Sequence, residues 1–501
     1  GVAGGLAPQQ ALAGADYGNS SVNIAPNHLY QGYENTISGS NAIAVGGLNT
    51  VGGSAGGIGN GRIAIGFQNQ VMADAAVAIG NSSKATGGSS TALGAQANAA
   101  GASAIAIGSE TSAAQQSSLA IGDRMKATGA YATAVGNYGQ ATGTKSTAIG
   151  ALAKASGTNA TSLGANTVAS QEAAAALGSY AEATGLRSTA VGVNAAASGQ
   201  SSQAMGDHAE ATGFGAAAVG KAAKALDQSA SAFGDSANAT TVQSTAVGYS
   251  ANATGLNASA FGNLSMASGK YATAVGSEAH ATGQNGFAGG AKVNATGSEA
   301  TAVGYNSTAS GAGSVTLGRD ATASATGAYA MGYGANATNT SAFAIGSLAN
   351  AGAYGSMAIG KGATTKAQDA TSTYSYSGTG GAVGASGYNT ETSTIHSGAG
   401  TNTASDTYNA GDTLAIGTNA TVSEQSNETV AIGKDSSAAK NTHYSTVIGQ
   451  GAQARQGASD STVIGHGAYT EARESVAIGR TANISGTDSV RSTAMGWGAR
   501  V

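Results

Sequence analysis

Two stretches of the chain carry the residue types of a phosphate-binding loop: Gly215-Ala-Ala-Ala-Val-Gly220-Lys221 and Gly355-Ser-Met-Ala-Ile-Gly360-Lys361. In such a loop backbone N–H groups wrap the phosphate, the Lys adds charge, and a following Ser or Thr holds Mg²⁺ where a helix begins. Here the next residue is Ala222 or Gly362 and no helical pattern follows, so nucleotide chemistry is not expected. The six histidines (His28, His208, His280, His396, His443 and His466) are scattered, without the His-x-x-x-His or His/carboxylate spacing of a metal site. Asn-Ala-Thr at Asn238, Asn252, Asn294 and Asn336 matches a glycosylation acceptor, yet each copy sits inside a longer recurring phrase. No Ser-His-Asp set assembles. The sequence reads as a non-enzyme with no cofactor and no metal.

What these near-motifs share is the phrase that generates them. A Gly preceded by an aliphatic residue recurs at Gly66, Gly80, Gly94, Gly108 and onward to Gly360, giving 22 markers spaced 14 residues apart without a break. A loop-bearing globular fold has no reason to keep such a count; a solenoid must, because each turn stacks on the last. The residue before the marker is large and apolar in 21 of 22 cases, Gly289 being the exception. Two before the marker, Ala fills 20 of 22 places. Three before it stand mainly Thr, Val, Ile, Leu, Phe, Ala or Ser and never a charged residue, so the strand lacks charge on both faces and is expected to be buried on both. The other half of the repeat, as in Ala153-Lys154-Ala155 or Ala181-Glu182-Ala183, flanks one variable polar residue with small ones, the pattern of a half-exposed strand. Thr-Gly or Ser-Gly follows (Thr128-Gly129, Ser156-Gly157), which predicts a corner that uses the positive φ open to Gly. Each repeat is then strand, corner, strand, corner. At the usual strand spacing the 14-residue region would be a rod roughly 100 Å long.

Fourteen residues per turn leave room inside for little beyond small side chains. With Ala facing that interior, the bulky stripe that includes Ile65, Ile79, Ile107, Ile121, Val135, Ile149, Ile345 and Ile359 needs a partner, and other copies of a symmetric oligomer are the natural one. The reverse arrangement, bulky residues inside and Ala between copies, stays open; both predict oligomerisation. The polar column that starts at Lys84 never places like charges on neighbouring rungs, which avoids repulsion in a parallel stack.

Composition agrees with a thin repetitive object: 80 Gly, 5% aromatic and 9% charged residues, with only two Pro. A net charge of -4 without a basic run gives no footprint for nucleic acid, and no stretch is long and apolar enough to insert into a membrane. With no Cys the fold has no disulfides. The organisation expected is an N-terminal cap over residues 1–41, a 14-residue-repeat roll over 42–360, an insertion rich in Ser, Thr, Gly and Tyr over 361–412, and a continued roll over 413–501. In the last part the markers Gly417, Gly433, Gly449 and Gly465 are 16 apart, then 14 to Gly479 and 17 to Gly496, which implies longer corners. The insertion breaks the register and carries Tyr374, Tyr376, Tyr388, Ile395, His396 and Tyr408, side chains suited to a projecting binding loop.

The phrases Glu474–Gly479 (ESVAIG) and Ser117–Gly122 (SSLAIG), with AVAIG, STAVG and STAIG elsewhere, embedded in 14-residue repeats joined by Ala-x-Ala-Thr-Gly, resemble the YadA-like head of trimeric autotransporter adhesins. The resemblance covers roughly 42–360 and 414–498. It implies an all-β, left-handed parallel β-roll assembled as a homotrimer and displayed on a bacterial surface. It further implies attachment to host matrix proteins such as collagen or fibronectin, to cells, to surfaces, or to sister bacteria. Neither a neck, a heptad stalk nor an outer-membrane anchor segment is present, so the chain is expected to be a head fragment of a longer anchored protein. In relatives that bind collagen, Asn-Ser-Val-Ala-Ile-Gly repeats are implicated; here Ser475, Val476, Ala477, Ile478 and Gly479 retain that core, with Glu474 in place of Asn. A competing expectation is a surface solenoid of the ice-binding type using a Thr ladder at Thr133, Thr147 and Thr161, a ladder broken by Ala175, Gln203 and Phe287.

Overall fold

The computed structural model describes residues 29–38, 41–52, 61–366, 413–423, 426 and 428–501. These residues form 59 short strands and no helix, so the phosphate-loop look-alikes lack the helix their chemistry requires. Ala217–Val219 and Met357–Ile359 are strands instead. The chain divides into two units, Gly1–Asn257 and Ala258–Val501.

In the first unit each 14-residue repeat is one rung of two parallel ladders. The marker strand Thr133–Asn137 pairs in parallel with Leu119–Asp123 on one side and Thr147–Ile149 on the other. The short strand Gln140–Ala141 pairs with Lys126–Ala127 and Lys154–Ala155 in the same sense. Each of these pairings joins residues 14 apart, which is why the repeat region must keep its count. The second unit repeats the scheme, Thr273–Val275 pairing with Ser259–Phe261 and with Phe287–Gly289. The fold is an all-β parallel solenoid.

Side-chain parity follows from the strand period of two. Ala134, Ala141, Ala153 and Ala155 have no exposed surface, so the interior is a column of small residues and the Ala-outside arrangement is excluded for the chain. Within one chain the marker strand is thus buried on one face only; Thr133 and Val135 both look outward and keep part of their surface exposed. Backbone groups find partners on neighbouring rungs: Thr133 N–H donates to the Ser146 carbonyl (2.8 Å), and Gly150 N–H to that of Val135 (2.9 Å).

The corners differ from expectation. From Gln68 to Gly362, every seventh residue has φ between 50° and 66°, and only six of these residues are Gly. The left-handed slots fall on Tyr131, Tyr138, Lys145 and Leu152, two residues beyond the glycines that the sequence pointed to. Each such residue costs about 1–2 kcal/mol in backbone strain, but its N–H is tied to the preceding rung, as Tyr131 N–H is to the Gln116 carbonyl (2.8 Å). Gly129 is needed for a different reason: it lies outside the positive-φ region, and a Cβ there would collide with the Gly143 carbonyl of the next rung. At the marker Gly136 both reasons apply, with φ 135° and an added Cβ only 2.6 Å from the Gly150 carbonyl oxygen.

The regular stack also begins earlier than the pattern suggested. Leu29–Gln31 pairs with Ile43–Val45, and Thr36–Ile37 with Thr50–Val51, so rungs lie within the segment expected to be a cap. Here buried amides replace Ala: Asn49 Nδ2 donates to Asn35 Oδ1 (2.9 Å) and to the Gly66 carbonyl (2.8 Å), and Asn69 N–H donates to Asn49 Oδ1 (3.0 Å). At the other end of the long repeat, Met357–Ile359 pairs directly with Leu414–Ile416, so the stack resumes on the adjacent rung after residues 367–412. The 16-residue repeats keep the same short strands, and their longer corners turn hydroxyls inward. Ser426 Oγ meets Thr442 Oγ1 at 3.1 Å, and Thr442 Oγ1 donates to the Ala439 carbonyl at 2.7 Å.

Candidate interaction surface

The marker strands set the chemistry of one outward face. Because residues one and three before each marker Gly share a side, the stripe is two columns wide. In the first unit Ile65 and Ile149 each keep 37% of their surface exposed, and Ile79, Ile107, Ile121 and Val135 are half-buried along the same column; in the second unit Ile345 and Ile359 are half-buried on the equivalent column. Leu163 and Phe233 in the first unit, and Leu317 and Met331 in the second, extend it with exposed side chains. A monomer seldom leaves so regular an apolar series in water. The Thr column at Thr133, Thr147 and Thr161 runs on this same face, beside Val135, Ile149 and Leu163, so it is not a flat array of hydroxyls.

In the second unit the equivalent face carries an aromatic pair. Tyr329 and Phe343, on adjacent rungs, stack with centroids 4.7 Å apart and planes 2° from parallel. At the strand-to-corner step nearby, Arg319 lies between Tyr305 and Tyr333, one rung to either side, with its guanidinium carbon 5.8 and 5.6 Å from the two ring centroids. Arg319 Nε also donates to Asp320 (3.1 Å), and both rings are about half exposed. The sequence reading missed this ladder, although Tyr, Arg and Tyr at 14-residue steps were its signal.

The remaining outward columns are polar. In the one that includes Lys84, Lys224 Nζ lies 3.6 Å from Glu210 Oε2 on the adjacent rung, and Asn238 Nδ2 donates to Asn252 Oδ1 (3.1 Å). The Asn-Ala-Thr triplets owe their Asn to this column. On a corner column Arg124 binds Glu110 through two nitrogens (2.8 and 3.0 Å) and also meets Tyr138. The hydrogen bond from Arg124 holds the Glu110 carboxyl below the usual range, and the same partners raise the guanidinium. His208 Nδ1 meets Asp207 at 2.6 Å on the exposed surface. Among the described residues, no three His, Asp or Glu converge on one point.

The motif Ser475–Gly479 divides between the two faces. Ser475 is fully buried, its hydroxyl donating to the Ala472 carbonyl (2.8 Å) and meeting Thr470 Oγ1 (2.8 Å), and Ala477 is equally buried. Those two residues cannot touch a ligand, because strand parity aims them into the core; Val476 and Ile478 lie on the outward stripe. Gly479 has φ 134° at the start of the following corner. Nearby, Glu471 accepts from Tyr469, whose phenol is pushed up chiefly by burial and then by that carboxylate. The other proposed contacts, Tyr374, Tyr376, Tyr388, Ile395, His396 and Tyr408, lie outside the described residues, as does His28.

The YadA head domain repeat family matches residues 73–181 in overlapping segments, then 183–209, 228–265, 267–292, 295–321, 323–349 and 457–482, together more than half of the chain. Among curated proteins no sequence matches it. With the 14-residue rungs, the small-residue interior and the outward aliphatic stripe all falling inside the matched repeats, the chain belongs to the YadA head family, the repeat of YadA-like trimeric autotransporter adhesin heads.

Proposed function

We propose that the chain works as the adhesive head of a homotrimer on a bacterial surface, anchored by an outer-membrane segment beyond this sequence. The observation that carries this reading is the outward aliphatic stripe, which continues rung after rung and would be withdrawn from water by neighbouring copies. Three copies packed through the stripe leave the polar and corner columns facing out, each repeated many times. Weak contacts multiplied over such an array give attachment by avidity. The partners that suit it are host matrix proteins such as collagen or fibronectin, cell surfaces, or the heads of sister bacteria. Within this reading the 371–412 segment, with its five tyrosine and histidine side chains, supplies specificity, and Val476 and Ile478 serve assembly rather than ligand contact.

Deleting Thr371–Asp412 tests the division of labour, because the strands on either side are already neighbours in the ladder. The deleted head should keep its trimeric mass by light scattering and lose binding to immobilised matrix proteins and cells. Full binding by the deleted form would move the adhesive role to the outward columns; a monomeric mass for the intact chain would remove the trimer from the reading.

A further inference from the structure

Side-by-side packing through the stripe, on which this inference rests, raises a question of register. Successive rungs are about 4.8 Å apart, and most present the same outward pair, a Thr or aliphatic residue with an aliphatic one. Shifting one copy by a single rung therefore returns nearly the same contacts, and a pattern that repeats under-specifies its own alignment.

One rung of the second unit differs from both neighbours. Phe287–Gly289 pairs with Thr273–Val275 and with Thr301–Val303, so Phe287 stands where its neighbours have Thr and Gly289 where they have Val. Phe287 keeps 38% of its surface exposed. Its ring lies over Gly289, where an added Cβ would be 2.9 Å from Phe287 Cε1 and 3.7 Å from Val303 Cγ2. Gly289 has no positive φ, so the backbone does not demand glycine; what glycine provides is room for the ring.

We propose that the Phe287–Gly289 rung is the register key of the assembly, and that its partner is the same rung in a second copy of this chain. In register, each copy presents its aromatic ring at one height, and the packing at that level is the same around the symmetry axis. A slip of one rung sets each Phe287 against a neighbour's Thr-Ala-Val rung and leaves the neighbour's own aromatic rung facing a smaller pair. Overpacking at one level and a void at the next both cost free energy in a close-packed interface. A single odd residue fixes register in coiled coils by the same logic of mismatch.

The chain has no Cys, so two introduced thiols report alignment without background. Thr301→Cys is placed in one tagged full-length copy and Val315→Cys in a differently tagged one, and the two are co-expressed and oxidised. Thr301 and Val315 are partners on adjacent rungs, so a disulfide between the two tags marks a one-rung slip, and one between identical positions marks alignment. With the natural rung, aligned products should exceed slipped ones by at least about tenfold, a preference of about 1.4 kcal/mol. In the F287T/G289V background the rung reads Thr-Ala-Val like both neighbours and is compatible with the fold, and the ratio should fall at least several-fold. An unchanged ratio in assemblies of trimeric mass overturns the key alone. A single-chain mass by light scattering overturns the side-by-side assembly and the key with it.

Discussion

Met125 and Gly139 provide a sharp test of how the interior is filled. They occupy the same inward column on adjacent rungs, a column that elsewhere holds residues such as Ala153, Ala181 and Ala195. Met125 is fully buried and its sulfur accepts the Gly139 N–H at 3.0 Å. A Cβ on Gly139 would lie 2.7 Å from Met125 Cε and 3.0 Å from the Ala153 carbonyl oxygen, so the long side chain uses the space that the missing one releases. Gly139→Ala alone should overpack this site and cost about 1–3 kcal/mol per chain. Met125→Ala alone should leave a void and cost about 2–5 kcal/mol. Together they restore an Ala-Ala step, so in the Met125→Ala background the Gly139→Ala change should reverse sign. It should stabilise by about 0.4–1 kcal/mol, through the reduced freedom of the unfolded chain at a position whose φ is not positive. The expected coupling is about 1.4–4 kcal/mol. Denaturant unfolding of the four proteins by circular dichroism measures it, and amide exchange over residues 119–155 places the effect on these rungs. If Gly139→Ala costs the same in both backgrounds, the two residues are not complementary and the account of the interior is wrong.

Two further outcomes follow from the corners and from the C-terminal repeats. Ala173 is exposed with φ 54°, so Ala173→Asn, which suits that conformation, should raise stability by up to about 1 kcal/mol; a lower Tm for the Asn form than for the parent would refute a left-handed corner there. Burial holds His443 below its ordinary titration range, against an opposing pull from Asp460 and with a smaller push from Arg473. The unfolded chain therefore takes up a proton that the fold resists, so the effect is absent well above pH ~6.5 and destabilises as the pH falls below it. His443→Gln should shrink the acid-induced drop in Tm, and parallel Tm curves for the two proteins would show that the ring does not titrate in this way.

Counting alone predicted the ladders, because a stack of equal turns has to put equivalent residues at equal intervals; Thr133 next to Thr147 and Lys126 next to Gln140 needed no further information. The inward Ala column was legible for the same reason, since Ala134 and its equivalents vary so little. What covers the opposite face was not legible: a strand without charge on either side looks the same whether its second face meets its own chain or another. The corner rule failed at Gly129 because glycine answers to two demands, positive φ and close approach, which a sequence does not separate. Ser475 and Ala477 were assigned as contacts from a resemblance between motifs, whereas strand parity turns them into the core. The Tyr305, Arg319 and Tyr333 ladder lies in a column that varies from rung to rung, where the constant positions that give away the fold carry no signal.

Equal rungs also bear on how such a gene changes. Within each unit the 14-residue turns are bonded through equivalent backbone partners to the turn before and the turn after, so removing or duplicating one of them joins ends that already fit. Unequal recombination between the repeated DNA segments that encode these turns can then shorten or lengthen the protein in whole steps, in frame and without a folding penalty at the seam. In the proposed assembly of identical copies, each step would alter every chain alike. The length of the stack becomes a heritable quantity that selection can adjust one turn at a time, while the outward side chains evolve separately.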